Sequence, residues 1–357
     1  MPIANDLRLP LLLVATTALA TILTWAAIAY ARRRALFDLP GQRRSHGTPT
    51  PRGGGIAVIA AILFAWSVLA ASTATFAPLF ALAPPTLGVA LVGWLDDHRG
   101  LSARWRFAVH CAAAAWLLGA AIVPALSTAG GIPHGVAWNW GLALLAVAIA
   151  IVWSINLHNF MDGINGLLTC QAMFVFVALA LLAGWHGADG AAMLVCAAAC
   201  AGFLPFNFPR ARVFMGDVAS GALGFLIAVA VLWFAVSPGM AAASGVVLCS
   251  AFVTDASCTL LSRMLRGRRW YSAHREHLYQ WLARSGFSHA GVVALYMGWN
   301  LLVALPVVWW MNRMPTYPMP PGVAPAAGLY AFAIATWWCG KRWCLRHARE
   351  RGRHAAA

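Results

Sequence analysis

The sequence predicts an all-α polytopic integral membrane protein with about eleven transmembrane helices, within a range of about ten to twelve. Three observations predict this fold class. The 357 residues are 61% hydrophobic and only 10% charged, which is unlike a soluble globular domain. Eleven apolar runs have roughly the length of about 20 residues that crosses the hydrocarbon core of a bilayer. The basic residues alternate between connections as the positive-inside rule describes.

Polar or glycine- and proline-rich connections separate the apolar runs and set their limits. The predicted spans are 9–31, 54–71, 77–93, 107–123, 138–155, 167–184, 191–206, 220–236, 240–261, 289–311 and 323–340. The first run continues past a short Ala-Leu-Ala segment and ends at three arginines, so we expect a retained span and not a cleaved leader. We expect one transmembrane domain over 1–340, followed by a basic tail over 341–357.

The net charge of +15 follows the predicted topology. All but Arg8 and Arg313 of the 25 basic residues fall in connections on one side of the membrane or in the tail. This asymmetry predicts a periplasmic N-terminus and a cytoplasmic C-terminus. The basic residues therefore indicate topology and contact with anionic lipid head groups, and no nucleic-acid partner is expected.

The eight cysteines form no CxxC pair, and most lie within apolar runs. They predict neither a disulfide framework nor a zinc site. No Walker A loop and no GxGxxG after a strand is present, which excludes nucleotide binding by those two folds.

The first inner connection is rich in proline and glycine from 42 to 55, and it carries Arg44 and His46. Its backbone and basic side chains predict an approach to an anion. The alternative is a stop-transfer patch, which accounts for the arginines after the first span but not for the run Gly53–Gly55.

Asp96 and Asp97 end the third span as adjacent carboxylates in a chain with only ten acids. Such a pair needs a cation, and Mg²⁺ typically takes one or two carboxylates together with substrate phosphates. The alternative is an interfacial pair neutralised by Arg99 and Arg104.

A polar stretch over 156–166 interrupts two apolar runs and holds Asn156, Asn159, Asp162 and Asn165 with two glycines. These side chains bind water, metals or phosphate well, and the glycines allow a ligand close to the backbone. The alternative is an ordinary turn between two membrane helices.

Two further acids stand at or inside apolar runs. Asp217 follows a glycine and opens the eighth span, where helix amides also favour phosphate. Asp255 lies within the ninth span, which makes it either a functional residue or the structural partner of a cation such as Arg263.

The last inner loop contains Arg268, His274, Arg275 and His277. On a helix the two histidines would share a face, but no third zinc ligand is evident. The arginines favour anion binding instead.

All these clusters fall on the predicted cytoplasmic side. Acids for a metal, arginines for phosphates and an adjacent bilayer favour the transfer of a phosphorylated group onto a lipid. A transporter or lipid-linked-sugar flippase is the alternative, and it predicts midplane polar residues and internal repeats. A non-catalytic scaffold would leave the clustered acids unexplained.

Several motifs resemble one family. Asp38-x-Pro40 with Arg44-x-His46, the Asp96-Asp97 pair, the stretch from Asn156 to Leu167, and Phe214-Met215-Gly216-Asp217 are similar to motifs of the polyprenyl-phosphate N-acetylhexosamine-1-phosphate transferases. That superfamily, glycosyltransferase family 4, also includes phospho-N-acetylmuramoyl-pentapeptide transferase. The likeness runs from residue 38 to residue 280.

The resemblance implies a reaction and a set of residue roles. An N-acetylhexosamine-1-phosphate would pass from a UDP-sugar to undecaprenyl phosphate, with release of UMP and with Mg²⁺, or Mn²⁺ in its place, as cofactor. It implies Asp217 and Asn159 as metal ligands and Asp96, Asp97 and Asp162 as catalytic acids. The implied substrate-binding residues are Arg44, His46, Asn156, Asn165, Arg268, His274, Arg275 and His277.

The form of the last loop bears on the donor and the pathway. The segment 274–280 is similar to the WbpL-type branch, which starts O-antigen-like polysaccharides, and it argues against UDP-MurNAc-pentapeptide. The expected donors are UDP-N-acetylglucosamine or its 6-deoxy relatives UDP-N-acetylfucosamine and UDP-N-acetylquinovosamine. Membrane lipids are expected partners, and a homodimer is left open.

Overall fold

The structure is a computed structural model that describes residues 8–39, 48–72, 78–124, 137–184, 187–237, 240–268, 274–313 and 322–354. The predicted substrate-binding residues Arg44 and His46 lie outside these ranges. The described chain is almost entirely helical. A short antiparallel pair, β1 (Phe37–Asp38) with β2 (Thr50–Pro51), closes the base of the first connection.

Fourteen α-helices are present in the described ranges, and two of them are extended by π-helical turns at Leu118–Ile122 and Asn300–Ala304. They are α1 (Arg8–Arg33), α2 (Ile56–Ser72), α3 (Pro78–Arg99), α4 (Ala103–Leu117), α5 (Ala137–Phe160), α6 (Leu167–Leu182), α7 (Ala188–Asn207), α8 (Asp217–Val236), α9 (Ser244–Leu248), α10 (Ser250–Leu265), α11 (Leu278–Arg284), α12 (His289–Trp299), α13 (Leu305–Met311) and α14 (Val323–His354).

Seven helical segments among the described residues are long and apolar enough to cross a bilayer. They include α1, α5, α7, α8 and α14, and the shorter apolar helices α2 and α6 add to them. The chain is therefore a multi-pass membrane protein. The count of eleven spans and the orientation stay predictions. The helix α14 continues through residue 340, where the sequence predicted the start of a tail.

The predicted span 240–261 is wrong as a single helix, because the chain breaks at Cys249 between α9 and α10. The Asn312 side chain accepts a hydrogen bond from the amide of Ala241 at 3.0 Å and donates to Ser244 Oγ at 2.8 Å. The Trp299 indole donates to Ser250 Oγ at 3.0 Å. Neighbouring helices thus satisfy polar groups that hydrocarbon would leave unpaired at an interrupted helix.

The helix α8 forms the centre of the bundle, where it packs against α2, α3, α5 and α6. Small residues on α8 allow this close packing, as is usual where membrane helices meet. At one such contact, Ser154 of α5 donates a hydrogen bond to the main-chain carbonyl of Gly224 at 2.7 Å. The first residue of α8, Asp217, is therefore held at the centre of one end of the bundle.

We expect Gly93→Ala to destabilise the fold, because a methyl group at Gly93 of α3 would overlap the main-chain carbonyl of Asp217. Overpacking of this kind typically costs about 1–3 kcal/mol. Thermal unfolding in detergent should show a lower melting temperature. The matched control is Gly88→Ala on the same helix, where the added Cβ would meet only Val109 Cγ1 at 3.9 Å. Equal melting temperatures for the two variants would contradict the packing argument.

Candidate active site

The four predicted aspartates converge at one end of the bundle. The end of α3 carries Asp96 and Asp97, the start of α8 carries Asp217, and the connection from α5 to α6 carries Asp162. The amide of Val218, in the first turn of α8, donates a hydrogen bond to Asp97 Oδ2 at 3.3 Å. Residues more than one hundred positions apart in the chain are thus joined directly.

Arg106 on α4 bridges two of these carboxylates. Its Nη1 atom lies 2.8 Å from Asp96 Oδ2 and 3.1 Å from Asp217 Oδ2. The alternative stated from sequence, an aspartate pair neutralised by Arg99 and Arg104, therefore named the wrong arginines for Asp96. Three basic residues follow the aspartate pair within ten positions, and nothing in that spacing shows which of them turns back toward it.

Asp97 is the most enclosed of these carboxylates, with 5% of its surface exposed. The Arg52 guanidinium donates a hydrogen bond to the main-chain carbonyl of Asp97. Arg52 is therefore a second arginine at this site, after Arg106, that the sequence did not predict there. Gly216 has φ +78°, and a Cβ there would lie 2.5 Å from Asp97 Oδ2. Only glycine lets the turn before α8 come this close to the carboxylate.

The glycine run after β2 has another role than the sequence predicted. The amide of Gly54 donates to the carbonyl of Phe214 at 3.0 Å, and that of Gly55 donates to Met215 at 2.9 Å. These amides are therefore used to dock the first connection onto the turn before α8. They do not face an anion.

Asn159 and Asp162 complete the acidic end of the bundle. Asn159 donates from Nδ2 to Ser220 Oγ of α8 at 2.9 Å. Burial, and then the negative charges of Asp217 and Asp97, raise the pKa of Asp162 well above its ordinary value. The carboxylates of Asp97, Asp162 and Asp217 thus lie close enough to affect one another's charge, and such a cluster favours a bound cation.

The donor set fits Mg²⁺ held jointly with a substrate. Within the described ranges, no three His, Cys, Asp or Glu side chains lie close enough to form a complete metal cage. Mg²⁺ does not require one, because it keeps several waters and commonly takes one or two carboxylates plus phosphate oxygens. The Asp217 side chain remains 31% exposed and is therefore accessible for such shared coordination.

Asn156 and Asn165 both have protein partners. Asn156 donates from Nδ2 to the Val152 carbonyl at 2.7 Å, and Asn165 donates to the Pro209 carbonyl at 3.1 Å. Asn207, which sequence reasoning did not select, accepts from the amide of Gly166 at 2.8 Å. Asn165 and Asn207 thus hold the connections around the carboxylates in place, whereas the Asn156 bond lies within α5.

The loop before α11 carries a charged cluster centred on Glu276. Arg268 lies 3.0 Å from Glu276 Oε1, and Arg263 pairs with the same oxygen. Burial opposes ionisation of Glu276, but the two arginines hold its pKa below the ordinary value. Arg263 is thus the partner of Glu276 and not of Asp255. The next residue back, Arg275, accepts from Arg284 at its main-chain carbonyl.

His274 and His277 stand together in this loop with ring centroids 4.9 Å apart. Burial first, and then nearby charge, lowers the pKa of His274 to about 4, and burial also lowers the pKa of His277. Both rings are therefore neutral near pH 7, so they carry N–H groups and no positive charge. His277 is buried.

The histidine loop is packed onto the central polar stretch. The ring of His277 stacks on Phe160, the last residue of α5, at a centroid distance of 6.2 Å. Tyr279 donates from its hydroxyl to the Phe160 carbonyl at 2.9 Å. The loop thus lies beside the segment that carries Asn159 and Asp162.

Comparison with known proteins shows the family. The model of glycosyl transferase family 4 matches residues 79–235. The decaprenyl-phosphate N-acetylglucosaminephosphotransferase of Mycobacterium tuberculosis is 31% identical over 322 residues, which are 80% of this chain and 79% of the relative. This chain belongs to glycosyl transferase family 4.

Two further relatives are similar to the chain over different lengths. The undecaprenyl-phosphate alpha-N-acetylglucosaminyl 1-phosphate transferase of Escherichia coli is 25% identical over 92% of both chains. The phospho-N-acetylmuramoyl-pentapeptide-transferase of Acaryochloris marina is 32% identical over 51% of this chain and 52% of its own. The resemblance stated from the motifs, to polyprenyl-phosphate N-acetylhexosamine-1-phosphate transferases, is confirmed.

We expect Asp162→Asn to raise the melting temperature at pH 8 in the absence of divalent ions. The pKa of Asp162 is raised in the folded protein above the unfolded value of about 3.9, so folding favours the protonated form. Stability is then greatest below the unfolded pKa and falls as the pH rises through the folded pKa. The amide removes this penalty, and the difference from wild type should narrow toward pH 5.

The control for that pH series is Asp189→Asn, which changes an exposed acid in the first turn of α7. It should follow the wild-type profile. A stability difference between Asp162→Asn and wild type that is constant from pH 5 to pH 8 would show that Asp162 is not the titrating group.

Proposed function

We propose that this protein transfers an N-acetylhexosamine-1-phosphate from a UDP-sugar to a polyprenyl phosphate, namely undecaprenyl phosphate in a bacterial inner membrane. The products are a polyprenyl-diphosphate-linked sugar and UMP. The observation that carries the proposal is the convergence of Asp96, Asp97, Asp162 and Asp217 at one end of a membrane bundle. Membership of a family whose relatives are named for this reaction supports it.

The chemistry is a phosphoryl transfer between two phosphate groups. An oxygen of the lipid phosphate attacks the sugar-linked phosphorus, a new P–O bond forms, and the P–O bond to UMP breaks. A phosphate monoester has a second pKa of about 6, so the lipid phosphate is largely dianionic at pH 7. The site therefore does not need a dedicated general base. Positioning and charge stabilisation are its main tasks.

The carboxylates hold and place the phosphates through a cation. Asp217, with Asn159, would hold Mg²⁺ or Mn²⁺, which when bound neutralises the charge that builds on the donor diphosphate. Asp96 and Asp97 would position the lipid phosphate or the metal. Asp162, whose raised pKa favours the neutral form without a cation, would ionise beside a bound cation and help to hold it. Arg106 bridges Asp96 and Asp217, so it would compete with such a cation for these carboxylates.

The loop before α11 supplies the donor side. Its N–H groups and charges would bind the diphosphate of the UDP-sugar. We propose this role for Arg268, His274, Arg275 and His277, with Arg44 and His46 at the edge of the site. The relatives' names favour UDP-N-acetylglucosamine. UDP-N-acetylfucosamine and UDP-N-acetylquinovosamine are the other donors that we propose, with O-antigen or another cell-surface polysaccharide as the pathway.

The test is a transfer assay on purified protein in detergent or nanodiscs. It uses a panel of UDP-N-acetylhexosamines, undecaprenyl or decaprenyl phosphate, and Mg²⁺, and it scores UMP release and lipid product. We expect product only with a divalent cation. Asp217→Asn should lower the rate by about 100-fold or more, the size typical when a contact to developing charge is lost. The matched control is Asp189→Asn.

Each outcome of that assay has a separate meaning. Product that needs Mg²⁺ and is lost in Asp217→Asn establishes the reaction, and the panel identifies the donor. Equal activity in wild type and Asp217→Asn leaves the reaction standing but overturns the metal assignment. No product with any donor from folded protein overturns the proposed function.

We expect Arg106→Gln to lower the Mg²⁺ concentration that gives half-maximal activity. The guanidinium competes with the metal for Asp217 Oδ2 in a partly exposed pair. Such pairs are worth up to about 1 kcal/mol, so the midpoint should fall by about twofold to fivefold. Arg104→Gln changes an exposed arginine on the same helix and should leave the midpoint unchanged. An unchanged midpoint in Arg106→Gln would mean that the two cations do not compete.

A further inference from the structure

Asp255 is a buried carboxylate for which the proposed chemistry has no use. It lies on α10 with 1% of its surface exposed. It also lines a mainly apolar cavity of about 250 Å³ between α10, α11, α12 and α14. A carboxylate in such a place is costly unless its oxygens are fully hydrogen-bonded, so its partners indicate what it does.

The two carboxylate oxygens accept five hydrogen bonds from donors on four helices, α10, α11, α12 and α14. The donors to Oδ1 are the amide of Leu278 at 2.7 Å, the indole of Trp337 at 3.0 Å and the hydroxyl of Thr259 at 3.2 Å. The donors to Oδ2 are the hydroxyl of Tyr296 at 2.7 Å and the amide of Tyr279 at 3.2 Å. All five donors are neutral. Asp255 therefore acts as a multiple acceptor and not as one half of an arginine or lysine ion pair.

Two of these donors are the first amides of α11. The opening amides of a helix have no partner within it, and a side chain usually caps them from the preceding residue. Here these two amides are capped from another helix, because Asp255 accepts from Leu278 and Tyr279. The amide of His277 is bonded locally, to Gln280 Oε1 at 3.3 Å. The residue just before them is His277, whose Nδ1 atom lies 3.9 Å from Asp255 Oδ1.

The segment fixed in this way is the one that contacts the candidate active site. The His277 ring is nearly parallel to those of Phe160 and Tyr279, with interplanar angles of 28° and 18°. Tyr279 also hydrogen-bonds the Phe160 carbonyl. The position of His277 over the end of α5 therefore depends on where α11 begins, and Asp255 holds that point.

We propose that Asp255 is a positioning residue which, by capping α11 from α10, holds the buried His277, and with it the loop 274–277, in the place where that loop binds the diphosphate of the nucleotide donor. The inference rests on the proposed function for the identity of that ligand. It adds a residue that does not touch substrate and acts through the loop.

The substitution that tests this is Asp255→Asn. An asparagine has one acceptor oxygen, and its NH₂ group would face the donors that now bind the other oxygen. It would therefore release part of the cap while keeping the volume of the side chain. Tyr296→Phe is a milder second variant, because it removes one hydroxyl from Oδ2 and leaves both α11 amides bonded. Asp189→Asn controls for the loss of one acid.

Three readouts separate positioning from general stability. We expect Asp255→Asn to weaken binding of UDP with Mg²⁺ by about tenfold, the size of losing one hydrogen bond to a charged group. Hydrogen–deuterium exchange should rise in the peptide 274–284 and not in α8. The KM for the UDP-sugar should rise while the KM for polyprenyl phosphate stays within about twofold, since the cap acts on the donor side. Tyr296→Phe should shift each readout in the same direction by a smaller amount.

Results opposite to these expectations would contradict different parts of the proposal. UDP affinity equal to that of wild type, unchanged exchange in 274–284, or equal rises in both KM values would overturn the role of Asp255. Should Asp255→Asn not fold, unchanged UDP affinity and exchange in Tyr296→Phe would overturn it. A wild type that does not bind UDP would overturn it together with the donor part of the proposed function. A different result would separate the two proposals. If wild type binds UDP, Asp255→Asn weakens that binding as expected, and no sugar phosphate is transferred to lipid, then this inference is supported and only the proposed reaction is overturned.

Discussion

The concentration of negative charge at one end of the bundle is the constraint on which the rest of this structure depends. Carboxylates that share a partly buried space repel one another, and each needs a positive partner or a set of N–H donors. Arg106 serves Asp96 and Asp217, while the α8 amide of Val218 serves Asp97. The same demand for positive charge is the physical basis of our proposal that the cluster binds a divalent cation with its phosphate ligands.

Close approach of the backbone is what allows the charges to meet. The α3 and α8 helices touch at Gly93, and the turn before α8 reaches Asp97 at Gly216. The glycine run of the first connection is bonded to the same turn. The site is thus built from three connections that are joined by main-chain contacts, so its geometry is set before any ligand binds. Preorganised charge of this kind is the main source of catalysis in phosphoryl transfer.

Polar side chains within the bundle stabilise the loops that surround the charges. Asn207 joins two connections, and Asp255 holds the start of α11 from the next helix. Asp255 carries a charge in apolar surroundings, which from sequence alone points equally to function and to structure. Its hydrogen bonds to the first amides of α11, like the bond from Asn207 to the amide of Gly166, favour a structural role that positions the surrounding loops.

The helical multi-pass class, the family and the aspartates that meet at one end of the bundle were readable from sequence, because hydropathy and short motifs are local properties of the chain. Long apolar runs have one stable solution in a bilayer, namely helices. The sequence could not show which side chains pair across the bundle. It offered Arg99 and Arg104 as partners of Asp96, where the structure has Arg106, and Asp255 as a partner of Arg263, where the structure has Glu276. It also could not show that the helix over 240–261 is broken. Each of these depends on which helices are neighbours. Only the tertiary structure decides that, because distance in space between residues far apart in the chain is set by packing and not by spacing.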